Sequence, residues 1–418
     1  MSKLLRLFVL VAITGCVEPA PVDPPGDVAR STLSRDTSPS APDADLASLR
    51  DGATDFALDL HRRLATDGGN VLTSPHSIQV AFGMLRPGAL GATAGEIDAT
   101  LGWELPPERL YAAMNRLDLE LAARNRDGVT IAAANQAWAQ TGYPIEAAYL
   151  DALAVSFGAG VALWPFNADP EGGRAVINGW VSERTTGNIP ELLTPGLITE
   201  NTRLVLVNAV HFDAAWDVAF DPADTEDRSF VREDGSTITT PLMTVALEDA
   251  RWARTEAYTA AELDYAGGEL AMLIVRPAGE LAAFEGALDA AALDTIVASL
   301  ETTEVVDVRM PRFAFGSDVN LVDHLSEMGM TRVFSPTEAE LEGISTASEL
   351  FVSAAVHSAT IEVTESGTAA SAATAVVVSD RSAPSRPALT LDRPFFFAIR
   401  DRATGAILFL GRVADPSA

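Results

Sequence analysis

Apolar residues recur at helical spacing through the first half of the chain and at strand spacing through much of the second half. Leu46, Phe56, Leu60 and Leu64 follow a helical period and predict a helix over residues 47–67. The same period predicts further helices over residues 74–85, 96–101, 110–124, 147–157 and 175–185. Runs of β-branched and apolar residues predict strands over residues 129–138, 204–212, 237–243, 251–256, 270–275, 305–315 and 351–363.

The order of these elements indicates the fold class. Most predicted helices precede most predicted strands, which favours an α+β protein over a repeated βαβ unit with a parallel sheet. No internal repeat and no break in composition occurs after residue 47. We therefore predict one large domain over residues 47–418, although the length of 418 residues alone would suggest two or three domains.

The N-terminus has the pattern of an export signal. Positive charge at Lys3 and Arg6 precedes a short apolar run and then small residues, which is typical of a secretory signal peptide over residues 1–15. The run Ile-Thr-Gly-Cys ending at Cys16 resembles a bacterial lipobox, in which the cysteine is lipidated. The alternative is an ordinary signal peptide with an incidental cysteine. Residues 16–46, rich in Pro, Ser, Asp and Ala, predict a flexible tether.

This N-terminal pattern predicts an extracytoplasmic protein. We expect it to be lipid-anchored to a bacterial membrane or cell surface, or extracellular, and held off the membrane by the tether. The apolar run is too short to span a bilayer, so a permanent transmembrane helix is not expected there.

Composition excludes several classes of function. Lys and Arg number 29 against 58 Asp and Glu, and the net charge of -29 opposes binding to nucleic acid or anionic lipid. The single cysteine, Cys16, excludes intrachain disulfides, thiolate metal sites and a catalytic cysteine in the body. The only lysine, Lys3, lies in the N-terminal signal segment, so the body of the protein has no lysine that could form a Schiff base.

The sequence also contains no recognised catalytic motif. None of the five histidines has a metal-site spacing, and no nucleophile elbow, P-loop or dinucleotide fingerprint is present. We interpret His76, His211 and His357 as hydrogen-bonded structural side chains. We therefore predict a protein that is not an enzyme and that uses no cofactor or metal.

One segment combines strand-forming residues with an exposed ending. Residues 368–379 contain no charge, proline or glycine, and only small or β-branched side chains, so they could enter a sheet anywhere along their length. As one extended strand they would span roughly 40 Å, about twice an ordinary strand. Residues 380–387 are polar, contain two prolines and predict an exposed loop. A low-complexity linker is the alternative interpretation, but it does not explain this combination.

The segment resembles the reactive-centre loop of the serpins, and the likeness extends from about residue 54 to 416. Motifs similar to those of the family occur in the same order along the chain. They are NVLTSPHSI at 70–78, NGWVSERTTGNI at 178–189, VNAVHFDAAW at 207–216, FDP at 220–222, MPRF at 310–313, LSEMGMTRVFSP at 325–336, RPFFF at 393–397 and FLGRV at 409–413.

The resemblance implies the serpin fold, with helices around three β-sheets, and inhibition of a serine protease as a suicide substrate. In that mechanism the protease cleaves the loop, and the loop inserts into the large central sheet before the acyl-enzyme is hydrolysed. The family's hinge, rich in small residues here, corresponds to Glu365, Gly367, Thr368, Ala369, Ala370, Ser371, Ala372, Ala373 and Thr374. These small residues favour fast insertion and hence an inhibitor.

Family spacing from Gly367 places the scissile bond at Arg381–Ser382. Arginine at this position implies a trypsin-like protease, whose specificity pocket holds a carboxylate. Arg386 is a rival, but Pro387 follows it and would block most such cleavage. A shift of one residue would make Asp380 the recognition residue and imply an aspartate-specific protease.

The resemblance also implies two control regions in the body. Ser74, Ser77, Asn208 and His357 correspond to the family's shutter, and Trp216 corresponds to its breach, where insertion begins. Residues 109–126 mix arginine with acidic residues and do not predict a heparin site. We expect a monomer that bears one lipid on Cys16. The alternative function is a non-inhibitory serpin that serves as a binding or structural surface lipoprotein.

Overall fold

The computed structural model describes residues 23–347, 350–368 and 386–418. The helices in these ranges are α1 (Asp43–Leu64), α2 (Pro75–Leu85), α3 (Gly91–Leu101), α4 (Pro107–Ala122), α5 (Ala147–Phe157), α6 (Pro170–Arg184), α7 (Leu281–Gly286), α8 (Ala290–Ala298) and α9 (Leu321–Glu327). The strands are β1 (Asp27–Ala29), β2 (Val71–Thr73), β3 (Val129–Gln140), β4 (Val161–Trp164), β5 (Leu204–Ala215), β6 (Glu226–Val231), β7 (Thr237–Arg254), β8 (Tyr258–Asp264), β9 (Leu270–Pro277), β10 (Glu301–Pro311), β11 (Phe313–Asn320), β12 (Val352–Val363), β13 (Gly367–Thr368), β14 (Ala388–Thr390), β15 (Phe395–Asp401) and β16 (Ile407–Val413).

The strands in the described ranges form two sheets, whereas the family resemblance implied three. The central sheet has the order β1-β4-β3-β5-β13-β12-β11. The second sheet has the order β14-β10-β7-β8-β9-β15-β16-β2, and β6 pairs with the N-terminal part of β7. Long strands in two sheets with helices packed around them confirm the predicted α+β architecture.

The middle of the central sheet is covered on both faces. Along β5, Leu206 and Val210 belong to the large core shared with the helices, whereas Val205 and Val207 belong to a smaller core that includes Trp180 of α6. Covered faces explain why β5 and β12 are mostly apolar in their middle instead of strictly alternating. The same cover buries the polar side chains of Asn208 and His357, which lie in the middle of these strands.

Local sequence signals account for the helix ends near the middle of the sheet. The Ser74 side chain accepts a hydrogen bond from the Ser77 N–H at the start of α2, and Pro75 occupies the first helical position. Gly102 and Gly158 end α3 and α5 in the left-handed conformation, which glycine adopts without a steric penalty.

Several predicted boundaries were wrong for identifiable reasons. The strands predicted over residues 237–243 and 251–256 are one continuous strand, β7, which ends at Arg254 and passes through Asp249 at a positive φ of 50°. The single strand predicted over residues 305–315 is two strands, β10 and β11, separated at Arg312. β10 pairs with β7 across the predicted gap and keeps β7 continuous, whereas β10 and β11 pair in different sheets. Hydrophobic periodicity carries no information on such pairing.

The tether predicted over residues 16–46 is also wrong for the part that the structure describes. Residues 27–29 form β1 at the edge of the central sheet, and α1 begins at Asp43, before the predicted domain start at residue 47. The signal peptide at 1–15 and Cys16 lie outside the described residues. Within the described ranges, no helix has the length and apolar character needed to cross a membrane.

Candidate functional site

The central sheet is partly opened at one end by two residues. Thr368 of β13 pairs antiparallel with Ala214 of β5 on one side and with Val363 of β12 on the other. Beyond this wedge, β5 and β12 pair directly in parallel, from Leu204 and Val352 to His211 and Thr360. We call this directly paired stretch the seam.

Thr368 is fixed in the wedge by a buried aromatic pair. Its hydroxyl lies 2.7 Å from the Tyr265 hydroxyl, and both side chains are inaccessible to solvent. The rings of Tyr265 and Trp216 stack with their centroids 4.6 Å apart. The Trp216 indole N–H donates to the Thr364 carbonyl at 3.0 Å, and the Trp216 backbone N–H donates to the Ser366 carbonyl at 3.0 Å. Trp216 therefore positions the chain on both sides of Glu365.

Glu365 anchors the start of the hinge. Its carboxylate accepts hydrogen bonds from the Arg312 guanidinium and, at 2.6 Å, from the Thr225 hydroxyl. Its backbone carbonyl accepts from the Phe220 N–H at 2.9 Å. Burial alone would raise the pKa of Glu365, but the hydrogen bonds from Arg312 and Thr225 outweigh it and hold the pKa below its usual value. The carboxylate is therefore charged and held at neutral pH.

A second polar cluster crosses the seam. Asn208 of β5 lies directly opposite His357 of β12 and opposite Asn135 of β3. The Asn208 amide donates to the Ser77 hydroxyl and to the Asn135 carbonyl oxygen, while its own carbonyl oxygen contacts His357 Nδ1. The Ser74 backbone N–H donates to His357 Nε2 at 3.0 Å. We call these five residues the seam network.

The network determines the protonation of His357. Because Nε2 accepts a hydrogen bond from an amide, the ring proton lies on Nδ1 and is donated to Asn208. Complete burial lowers the pKa of His357 to about 3, so the ring is neutral at physiological pH. A second proton, on Nε2, would face the Ser74 N–H and break the network.

The structure places the described site residues in two groups. Ser74, Ser77, Asn208 and His357 lie in the seam network, and Trp216, Glu365, Gly367 and Thr368 lie at the wedge. The residues predicted at Ala369, Ala370, Ser371, Ala372, Ala373, Thr374, Asp380, Arg381 and Ser382 lie outside the described residues.

Arg386, the rival cleavage position, is described. Its guanidinium lies 4.0 Å from the Asp307 carboxylate, and the carbonyl of the next residue, Pro387, accepts a hydrogen bond from the Asp307 N–H at 2.9 Å. The Arg386–Pro387 bond is therefore held against β10, immediately before β14.

Four residues of the site were missed at the sequence level: Asn135, Thr225, Tyr265 and Arg312. An asparagine within the apolar run of β3 was a usable signal for Asn135, because a buried amide needs partners. Arg312 lies within the MPRF motif, which indicated the family but not this contact. Thr225 and Tyr265 reach the wedge from distant parts of the chain, and no local pattern marks them.

Comparison with known proteins assigns the family. The family model described as "Serpin (serine protease inhibitor)" matches residues 51–416. Antithrombin-III of Mus musculus is 32% identical over 86% of this chain and 80% of its own length. Plasminogen activator inhibitor 1 of Bos taurus is 32% identical over 87% of this chain and 92% of its own length. A serpin-like protein of Thermococcus kodakarensis is 32% identical over 99% of each chain.

Solved structures show the same fold. Uncleaved ovalbumin superposes with a TM-score of 0.80 at 29% identity, over 88% of this chain and 100% of its own. The thermophilic serpin tengpin in its native state gives a TM-score of 0.82 at 23% identity, over 93% of this chain and 97% of its own.

Proposed function

The chain belongs to the serpin family, and we propose that it is an inhibitory member that traps a trypsin-like serine protease as a suicide substrate. The observation that carries the proposal is the wedge: Gly367 and Thr368 already occupy the first two positions of a strand between β5 and β12. The residues that follow them in sequence are small and strand-competent.

The two ladders at the wedge agree on where an inserted strand would pair. Continuing antiparallel from Thr368 and Ala214 would place Thr374 opposite Asn208, and continuing from Thr368 and Val363 would place Thr374 opposite His357. Asn208 and His357 are partners in the present sheet. Between Ala354 and Thr360 of β12, where the seam is regular, it can therefore accept the segment without a shift in register on either side.

Insertion would replace one ladder with two. β5 and β12 now bond directly to each other along the seam, and an inserted strand would bond to both of them at once. Ala369, Ala370, Ala372 and Ala373 bring no charge and little volume into the covered interior. Small side chains favour an insertion fast enough to precede hydrolysis of the acyl-enzyme.

Cleavage specificity is assigned to Arg381, which lies outside the described residues. An arginine bound in a carboxylate-bearing pocket would present the Arg381–Ser382 bond to the protease serine. Attack by that serine would form an ester with the Arg381 carbonyl carbon and release the amine of Ser382. The trapped ester is the state that an inhibitor preserves and that a plain substrate hydrolyses.

The experiment is a panel of serine proteases incubated with the protein and analysed on denaturing gels. We expect a covalent complex with trypsin that is lost in Arg381→Ala and retained in Arg386→Ala. Cleavage after Arg381 without any complex would support a non-inhibitory serpin instead. Strong complex formation by Arg381→Ala would show that the cleavage position was assigned wrongly.

We also propose that Cys16 is lipidated and anchors the protein to a membrane, outside the cytoplasm. In support, the chain joins the central sheet far from the wedge. Asp27 lies opposite Leu163 of β4. β4 pairs with the C-terminal part of β3, and that part of β3 pairs with the start of β5 at Leu204. The wedge lies at the other end of β5, about 30 Å along the strand.

An anchor at Cys16 would therefore leave the reactive segment directed away from the membrane. Cys16→Ser should move the protein from the detergent phase to the aqueous phase in a phase-partition assay, with wild-type inhibition retained. Equal partition of the variant and the wild type would exclude the lipid anchor.

A further inference from the structure

The N-terminal segment binds the free edge of the central sheet. Val28 of β1 pairs with Ala162 of β4, so β4 is bonded on both sides. The contact requires glycine at position 160, because a Cβ there would lie 2.6 Å from the Ala29 carbonyl oxygen and 2.8 Å from Arg30 Cγ. All three atoms nearest to that position belong to residues 28–30, so the space at Gly160 is shaped for this segment.

The same segment continues onto α5. The Ser31 hydroxyl donates to the Asp151 carboxylate at 2.5 Å, and the Asp36 N–H donates to the Val155 carbonyl at 2.9 Å. α5 is joined to β4 by residues 158–160. Residues 27–36 therefore bind both β4 and α5, which are joined in sequence and which we treat as one unit.

Arg35 joins that unit to the helix layer. Its guanidinium donates to the Asn115 side-chain oxygen at 2.8 Å and lies 2.6 Å from the Asp118 carboxylate, both on α4. The Asn115 amide donates to the Asp36 carbonyl at 2.7 Å, and Asn115 is buried. The Arg35 stem passes over Gly158, where a Cβ would lie 3.1 Å from Arg35 Cδ.

We propose that residues 27–36 form a strap that holds the edge of the central sheet to α4 and thereby resists opening of the seam. Admitting a strand between β5 and β12 widens the sheet by about 4.8 Å, so β5, β3 and β4 must shift relative to β12 or to the helices beneath them. The strap bonds the outermost of these strands to α4 and opposes that shift. The strap's role during inhibition rests on the proposed function, but its effect on the seam does not.

The test compares Arg35→Ala and Gly160→Val with Arg30→Met in the full-length protein. Arg30→Met is the matched control, because it removes the guanidinium that pairs with the exposed Asp23 but keeps the Cγ atom that packs at Gly160. Hydrogen exchange is followed at the backbone amides of residues 204–211, which lie two strands away from β4. A merely local effect of the strap would change exchange in β4 and leave the seam unchanged.

We expect Arg35→Ala and Gly160→Val each to speed seam exchange roughly tenfold, the scale expected for losing one charge-assisted hydrogen-bonded contact. The double variant should exceed the larger single effect only slightly, because either change releases the same strap. Seam exchange at the Arg30→Met rate in both single variants would overturn the proposal, and so would full additivity.

This outcome is separable from that of the proposed function. If wild-type protein forms no protease complex but the strap variants open the seam, the proposed inhibition is wrong and the strap stands. If wild-type protein traps trypsin but the strap variants leave the seam unchanged, the strap is wrong and the inhibition stands.

Discussion

Thr368 provides the sharpest test of how the wedge supports insertion. Its side chain is inaccessible to solvent and bonded to Tyr265, so arginine at this position must bury an unpaired charge or leave the sheet. An uncompensated buried ion costs several kcal/mol, and about 4 kcal/mol in the insertion barrier slows insertion roughly thousandfold. Thr368→Arg should therefore release β13 and turn an inhibitor into a plain substrate.

Thr368→Val is the matched control. Valine has nearly the same shape and keeps the strand pairing, but it leaves the Tyr265 hydroxyl without this partner, which costs about 1 to 3 kcal/mol. Thr368 already lies in the sheet before cleavage. The lost hydrogen bond therefore raises the free energy of the protein both before and after insertion, and it changes the insertion barrier little. The assay counts moles of inhibitor consumed per mole of trypsin inactivated, together with the cleaved fraction on gels.

We expect Thr368→Val to inactivate trypsin with a ratio close to the wild-type value. Thr368→Arg should be cleaved after Arg381 while trypsin stays active. A wild-type ratio for Thr368→Arg would refute the idea that the wedge is the starting point of insertion.

Further predictions concern the seam network, the hinge anchor and pH. Asn135→Ala removes an acceptor of the Asn208 amide and should lower the free energy of unfolding by about 1 to 3 kcal/mol in urea titrations, whereas an unchanged midpoint would place Asn135 outside the network. Arg312→Ala leaves the Glu365 carboxylate with the Thr225 hydroxyl as its side-chain partner. Because the Arg312 side chain is nearly half exposed, we expect the free energy of unfolding to fall by about 1 kcal/mol. Adding Glu365→Gln should recover part of this loss, because it removes the unpaired charge. The pKa of His357 is about 3 in the folded protein, against about 6.5 for an unperturbed histidine, so the unfolded chain binds the extra proton between these values. The contribution of neutral His357 to the free energy of unfolding is therefore fully present above pH 6.5. It should fall by about 1.4 kcal/mol per pH unit as the pH drops toward 3, and His357→Gln should lack this part of the pH dependence.

The fold class could be predicted because it depends on local signals, whereas the candidate site residues came from the resemblance to the serpin motifs. The helix predicted over residues 147–157 is α5, and the long apolar strand ending at Val363 is β12, since both have a clear period and a defined end. The small-residue segment after Gly367 was recognisable from composition alone.

Features that depend on distant partners could not be predicted. The Pro- and Ser-rich N-terminal segment has no apolar period, and it binds through Asn115, 80 positions after Arg35, and through space left at Gly158 and Gly160. Tyr265 likewise reaches Thr368 across 103 positions. Such contacts are set by the folded topology, which spacing in the sequence does not reveal.

The most direct measurement of the central claim is the intact mass of the species formed when the full-length protein meets active trypsin. The account predicts one covalent adduct containing trypsin and the protein up to Arg381, together with a released fragment of residues 382–418. A mixture of free active trypsin and protein cleaved at Arg381, with no adduct at any time point, would contradict it.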